Sequence, residues 1–277
     1  MKRKYLITLY FVLAFILLFE IFPIYWLGLT SVRPIEELLD PQPWPKNPTA
    51  RAYVTVVTLD YFQIEHFHRQ LLNSIIIALA TAGFSMFVSS LGGYSLARIR
   101  FPGNTIVSKA VLFTYIMPPS LLAIAFFDIM NIYGLVNTYP SVIIAMTVFT
   151  TPFGLWIMKQ AIRSIPIEVE ESALIDGANR VTIFFRIIIP LTAPVLVALA
   201  TYSFIQAWNE YLYVLVLMSD ARMFTAPVAI ASLLQVDEIP WALVSAMSIV
   251  FSIPPVIFFY ALQKYMVAGL TRGAVKA

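Results

Sequence analysis

The chain of 277 residues contains no cysteine and two histidines. Without cysteine there are no disulfides, no thiolate chemistry and no cysteine-based metal sites. The histidines, His66 and His68, form an H-x-H beside Glu65. A wetted loop next to a helix is the ordinary reading of that triplet, and a metal site is the minor one. Charge is also scarce, at 12% of residues with a net charge of +3. The basic residues are dispersed and flank apolar runs, so no nucleic-acid partner is expected. There is no G-x-x-x-x-G-K-[ST] phosphate loop and no nucleophile–base arrangement, so the chain is not expected to hydrolyse ATP.

What it has instead is apolar residues, 60% of the chain, well above the share usual in soluble domains. The expected class is an all-α integral membrane protein. Lys2-Arg3-Lys4 precedes an apolar run from Tyr5 to Leu29, too long for a signal-peptide core and lacking a small-x-small cleavage pattern, so it reads as an uncleaved first span. Glu20 lies inside it. An external loop follows, Ser31 to Gln70, with Pro41, Pro43, Pro45 and Pro48 around Trp44 and a short helix expected at Tyr61–Gln70. Residues 1–71 thus form a first helix plus loop, and 72–262 a core membrane domain. Five further spans are expected at 72–97, 110–129, 140–158, 191–218 and 241–262, with a polar loop at 159–190 and a tail at 263–277. Gly83, Ser85, Ser89, Ser90, Gly92 and Gly93 in the second of the six spans suit close helix packing. Pro118-Pro119 should kink or interrupt the third.

Six spans put both termini on one side. Arg33, Lys46, Arg51, Arg69 and Arg222 fall on the opposite side, and the other 13 of the 18 Lys and Arg fall with the termini. The positive-inside rule therefore assigns the termini and the polar loop to the cytoplasm.

That loop, Ile165 to Pro190, carries Glu168, Glu170, Glu171, Asp176, Arg180 and Arg186 between two apolar runs. One charge at a helix centre in a membrane costs roughly 2.5–3.5 kcal/mol, so a stretch with six does not span. Pro166 suits a first helical turn, with the glutamates at its positive end. Asp176-Gly177 should end that helix. From Asn179, the positions Val181, Phe184, Phe185 and Ile188 fit a second helix resting on a membrane surface.

The residues Glu171-Ser172-Ala173, Asp176-Gly177-Ala178, Phe184, Ile188 and Pro190-Leu191 resemble the "EAA" loop of permease subunits of ATP-binding-cassette importers. The spacing agrees throughout, with Ser172 standing where the family usually has alanine. Asn73-Ser74, Tyr94-x-x-Ala97-Arg98 and a tail with Gln263-Lys264-Tyr265, Gly269-Leu270-Thr271 and Gly273-Ala274-Val275-Lys276 are similar to the maltose-type, carbohydrate-uptake branch. The resemblance implies a type I importer permease of the inner membrane that works by alternating access, for an oligosaccharide or related sugar or polyol. It implies a homologous second permease, two ATPase subunits carrying ATP and Mg2+, and an extracytoplasmic solute-binding protein, with lipid around the spans. By resemblance Glu168, Glu171, Ser172, Ala173, Asp176, Gly177 and Ala178 form the coupling element that docks on the ATPase, and Thr271, Gly273, Ala274 and Val275 reach the same partner. No catalytic or metal residue is implied. Trp208-Asn209-Glu210-Tyr211 lies inside a span. Tyr202, Gln206, Asn209 and Glu210 are candidates for the translocation path, and a structural polar contact is the alternative. Two other classes stay open on the residues: an ion-coupled secondary transporter built on Glu210 and the proline break, and a non-transporting membrane scaffold.

Overall fold

The computed structural model describes residues 2–38 and 42–274, with side chains over 5–38 and 42–265. Among these residues every regular element is helical. In hydrocarbon a backbone N–H or C=O has no water to bond, so a spanning segment closes its hydrogen bonds within itself. In chain order the helices are α1 (Lys2–Ser31), α2 (Arg51–Thr58), α3 (Phe67–Arg98), α4 (Asn104–Ile116), α5 (Pro119–Ile132) and α6 (Tyr139–Arg163). Then come α7 (Ile167–Ile175), α8 (Arg180–Ile183), α9 (Ile189–Leu191), α10 (Ala193–Trp208), α11 (Leu212–Leu217), α12 (Ala226–Ser232) and α13 (Trp241–Ala274). A π-helical turn, Phe184–Ile188, joins α8 to α9.

Four stretches of the described residues are long and apolar enough to cross a membrane: Tyr5–Ser31, Phe62–Arg98, Tyr139–Arg163 and Trp241–Tyr265. Two bent pairs bring the number to 6 if each counts as one span. The first is α4 with α5, at 101°, and the second is Arg180–Leu191 with α10, at 77°. The expected third span, 110–129, is therefore two helices. Met117 and Pro118 both turn extended, with ψ of 128° and 123°. A residue before proline is pushed out of the α region, and Pro119 then starts a new helix where its missing N–H is no loss. The expected fifth span, 191–218, is interrupted at Asn209–Tyr211, between α10 and α11. The regular helix of the proline-rich loop is α2; Phe62–Ile64 is a short 3-10 turn, and from Phe67 the residues belong to α3.

The chain divides into two units, Met1–Phe67 with Ala229–Ile253, and His68–Val228 with Pro254–Ala277. In the first, residues 5–26 of α1 are all exposed, an apolar surface that lipid or a partner chain would cover. Arg33 is buried, donates to the Gln42 carbonyl at 2.5 Å and lies 5.7 Å over the Trp26 ring. Glu37 accepts from the Lys46 N–H at 2.8 Å. These contacts fold the proline-rich loop back on the end of α1.

In the second unit the small residues of α3 meet facing helices. A Cβ added at Gly93 would lie 2.7 Å from Met158 Cβ and 3.1 Å from the Lys159 nitrogen. The Ser203 hydroxyl donates to Ser85 at 3.0 Å. Gly83, by contrast, faces open space. At the other end of α3, Asn73 donates to the carbonyls of Arg222 and Phe224 at 2.9 and 2.8 Å and accepts from Tyr139 at 2.7 Å. Ser74 accepts from the Ala226 N–H at 2.9 Å. Asn73-Ser74 thus holds the loop between α11 and α12. In that exposed loop the Arg222 guanidinium hydrogen-bonds Asp220 and holds its carboxyl down to about 2.

Gly93→Val is expected to force α3 from α6 and cost roughly 1–3 kcal/mol through overpacking. A thermal unfolding scan of the purified chain in detergent checks this; an unchanged midpoint would mean the approach is slack.

Candidate functional site

The polar loop is a helix with two different faces. Pro166 precedes α7 with extended backbone, φ −55° and ψ 137°. Glu168 and Glu170 lie in the first turn, where their charge suits the helix N-terminus. Glu170 turns inward and is 5% exposed. Its carboxylate pairs with the Arg98 guanidinium at the end of α3 and accepts from the Tyr94 hydroxyl at 3.0 Å. Arg98 also donates to the Ile165 carbonyl at 2.7 Å. One guanidinium therefore grips both the entry to the loop and its helix.

Ala173, one turn on, packs with Ala178 against a buried cluster of Tyr94, Met158, Ile162, Ile183, Phe184, Ile188 and Leu199. The Tyr94 and Phe184 rings meet edge to face at 5.3 Å. The small side chains of the motif are thus packing residues. Ser172 is exposed and donates to the Glu168 carbonyl at 2.8 Å, so a hydroxyl is as acceptable there as a methyl. Glu168, Glu171, Ser172 and Ile175 share the outward stripe at helical spacing, and Ile175 is 87% exposed.

Gly177 ends α7 with a φ of +85°. Its N–H bonds the Leu174 carbonyl at 3.0 Å and the Ala178 N–H bonds the Ala173 carbonyl at 2.9 Å, the paired closure of a Schellman end. No atom stands within 4 Å of a Cβ built there, so the need for glycine is conformational. Asn179 then caps α8 by accepting from the Thr182 N–H at 2.8 Å. Val181 and Phe185 are exposed, but Phe184 and Ile188 enter the core, so the second helix is part of the packed unit. Its π-wound turn lies just ahead of Pro190, whose ring and missing N–H interrupt the α ladder. Thr271, Gly273, Ala274 and Val275 lie outside the residues whose side chains are described.

The second candidate lies at the helix breaks. A cavity of about 470 Å³ is lined by Thr114, Tyr115, Met117, Pro119, Leu122, Val148, Phe149, Pro152, Tyr202 and Gln206. The Tyr115 and Tyr202 hydroxyls are 3.4 Å apart, and the Phe153 and Tyr202 rings are 4.6 Å apart. Asn209 and Glu210 stand apart from that lining. Asn209 donates to the Ile205 carbonyl at 2.9 Å. Glu210 accepts from the Tyr213 N–H at 2.7 Å, at the start of α11. The Glu210 carboxylate thus serves an N–H at the start of α11 that the break frees, while Asn209 adds a second bond to a carbonyl that already accepts its own N–H. Tyr213, buried, donates to the Pro119 carbonyl at 2.7 Å, at the start of α5 beside the other break. Trp208 is buried and stacks on Phe204, which stacks on Phe258 at 4.0 Å. Among the described residues no three His, Asp or Glu gather as metal ligands.

Residues 89–272 match the family of binding-protein-dependent transport system inner membrane components. The chain belongs to that family. It is a membrane permease subunit, and ATP hydrolysis in such systems is carried by separate subunits. The permease is 36% identical to the trehalose/maltose transport system permease protein MalG of Thermococcus litoralis, over all of this chain and 98% of that protein. It is 33% identical to the trehalose transport system permease protein SugB of Mycobacterium tuberculosis, over 93% of each. It is 31% identical to the inner membrane ABC transporter permease protein YcjP of Escherichia coli, over 95% and 94%. Its fold matches a chain of a bacterial ABC transporter involved in the import of the acidic polysaccharide alginate, with a TM-score of 0.77 over 95% and 96% of the two chains at 22% identity. The type I importer fold is thereby the fold of this permease.

Sequence reasoning overlooked Glu170, Arg98 and Tyr94 as a unit, and Tyr115 in the cavity. The signal available was a helix-terminal arginine and an acid-rich loop on the same side of the membrane.

Glu170→Ala leaves the Arg98 guanidinium buried without its carboxylate and is expected to cost about 3–5 kcal/mol. Replacing both partners, as Arg98→Met with Glu170→Leu, is expected to recover most of it. Thermal unfolding of the parent and the two variants tests the pair, and equal midpoints for all three proteins would remove it from the fold's support.

Proposed function

We propose that this permease imports an oligosaccharide or a related sugar or polyol by alternating access, driven through α7 by two separate ATPase subunits that bind ATP and Mg2+. The observation that carries the reading is the two-faced loop. Its inner face is fixed to α3 by Glu170 and to the core by Ala173 and Ala178. Its outer face offers Glu168, Glu171, Asp176 and an almost fully exposed Ile175. An apolar residue left in water beside carboxylates fits a partner groove with an apolar pocket and basic rim. Because Ala173 of α7 packs on a cluster that holds Met158 and Ile162 of α6 and Leu199 of α10, a push on α7 would be passed to both.

On this reading both termini and the loop are cytoplasmic, in line with the positive-inside rule, and the tail positions Thr271, Gly273, Ala274 and Val275 reach the ATPase as well. A second, homologous permease completes the path and a solute-binding protein delivers substrate from outside. The sugar class rests on relatives named for trehalose and maltose. The cavity chemistry agrees with it, since the Tyr115 and Tyr202 hydroxyls and the Gln206 amide suit a polyhydroxylated solute and the aromatic rings suit its C–H faces. Asn209 and Glu210 are given the role of holding the helix break. An ion-coupled transporter would use Glu210 as a coupling site, whereas its carboxylate caps its own backbone. A scaffold role leaves the outward stripe without a purpose.

Glu171→Ala is expected to insert normally, to co-purify far less ATPase and to lose uptake of labelled disaccharide in cells; unchanged uptake would remove Glu171 from docking. Tyr202→Phe is expected to raise the apparent KM for uptake with little change in ATPase association. A variant indistinguishable from the parent would exclude the cavity from the path.

A further inference from the structure

We propose that a second cavity, between the start of α4 and the last turns of α6, binds the headgroup of an anionic phospholipid. The cavity has a volume of about 250 Å³, and Ser108, Lys109, Trp156, Lys159 and Arg163 are among its lining residues. Three of these are basic, and no carboxylate is in the lining. Lys159 is the decisive one: only 9% of it is exposed, yet it lines the cavity, and its amine donates to the hydroxyl of Ser108, another lining residue, at 2.5 Å. An ammonium has three donors, and one hydroxyl is thin company for a buried charge. A phosphate oxygen in the cavity supplies the missing counter-charge.

The depth of the site selects a lipid over a soluble phosphate. Lys159 stands one helical turn before Arg163, the last residue of α6, on the side that the charge bias assigns to the cytoplasm. Trp156, a further turn into the membrane, also lines the cavity and is 41% exposed; an indole there is typical of the headgroup level. Above it the wall is apolar, with Leu112 also exposed. A cationic end and an apolar, open wall match a phosphate with acyl chains attached. Basic pockets between spans at this level are the usual form of such sites. The site ties α4 to α6 two residues before the loop that leads into α7, so its occupant also stiffens the seat of that loop.

The test uses the full chain purified in mild detergent, as wild type and as Lys159→Gln, Lys109→Gln and Arg163→Gln. Binding is followed by native mass spectrometry and by the thermal shift on adding phosphatidylglycerol, phosphatidylcholine or inorganic phosphate. Phosphatidylglycerol is expected to bind and raise the midpoint of the wild type, phosphatidylcholine and inorganic phosphate to do neither, and each neutralised residue to weaken binding about fivefold. Lys109→Gln, at an exposed position, keeps the test valid should Lys159→Gln fold poorly. Equal shifts with inorganic phosphate would overturn the lipid assignment. Equal retention of both lipids by all four proteins would overturn the site. Neither result depends on transport, so either is separable from a failure of the import reading.

Discussion

The buried pair between Arg98 and Glu170 is the constraint on which the working end of this permease depends. A charge pair out of water stabilises little by itself, but removing one member is costly, so the pair fixes geometry more than it adds energy. The Tyr94 hydroxyl and the Ile165 carbonyl complete the satisfaction of both groups. Once Glu170 and Ala173 face inward, the helical period leaves Glu168, Glu171 and Ile175 nowhere to go but outward. The outward stripe is therefore a consequence of the anchor. The Gly177 turn then returns the chain into the same core that Ala173 touches, so loop and spans share one packed cluster.

The same economy governs the breaks within the membrane. Irregular backbone at that depth is tolerated only where its polar groups find partners in the protein. At Asn209–Tyr211 the Glu210 carboxylate takes the Tyr213 N–H, and beside Pro118-Pro119 the Tyr213 hydroxyl bonds the first carbonyl of α5. Tyr213 thus contacts both breaks, one through its hydroxyl and the other through its N–H. A cavity lined by Tyr115, Tyr202 and Gln206 lies against the first break. Its polar groups exist at that depth because the helices are bent there.

Much of this was legible in the residues. The apolar runs located the long apolar helices, and Asp176-Gly177 located the end of α7. What was not legible was which of three neighbouring glutamates turns inward. That choice is made by Arg98, 72 residues away, and local pattern carries no trace of a contact at such separation. Phe184 and Ile188 read as membrane-surface residues for the same reason: their spacing fits any apolar environment, and only the cluster around Tyr94 makes it a protein core. Pro118-Pro119 announced an interruption, but a 101° turn depends on what α5 packs against. Glu210 stood open between the translocation path and a structural polar contact, because an acid in a span is expensive either way; its carboxylate accepts a backbone N–H freed by a break that sequence alone did not reveal.

The central claim is that α7 meets the ATPase through its outward stripe while its inner face stays bolted to the spans. The absence of native cysteine allows a direct measurement: Ile175→Cys, carrying a thiol-directed photo-crosslinker, in membrane vesicles containing the assembled transporter. The account predicts an adduct with the ATPase from position 175. Photolysis that labels only lipid or solvent at 175, with the ATPase present and bound, would contradict it.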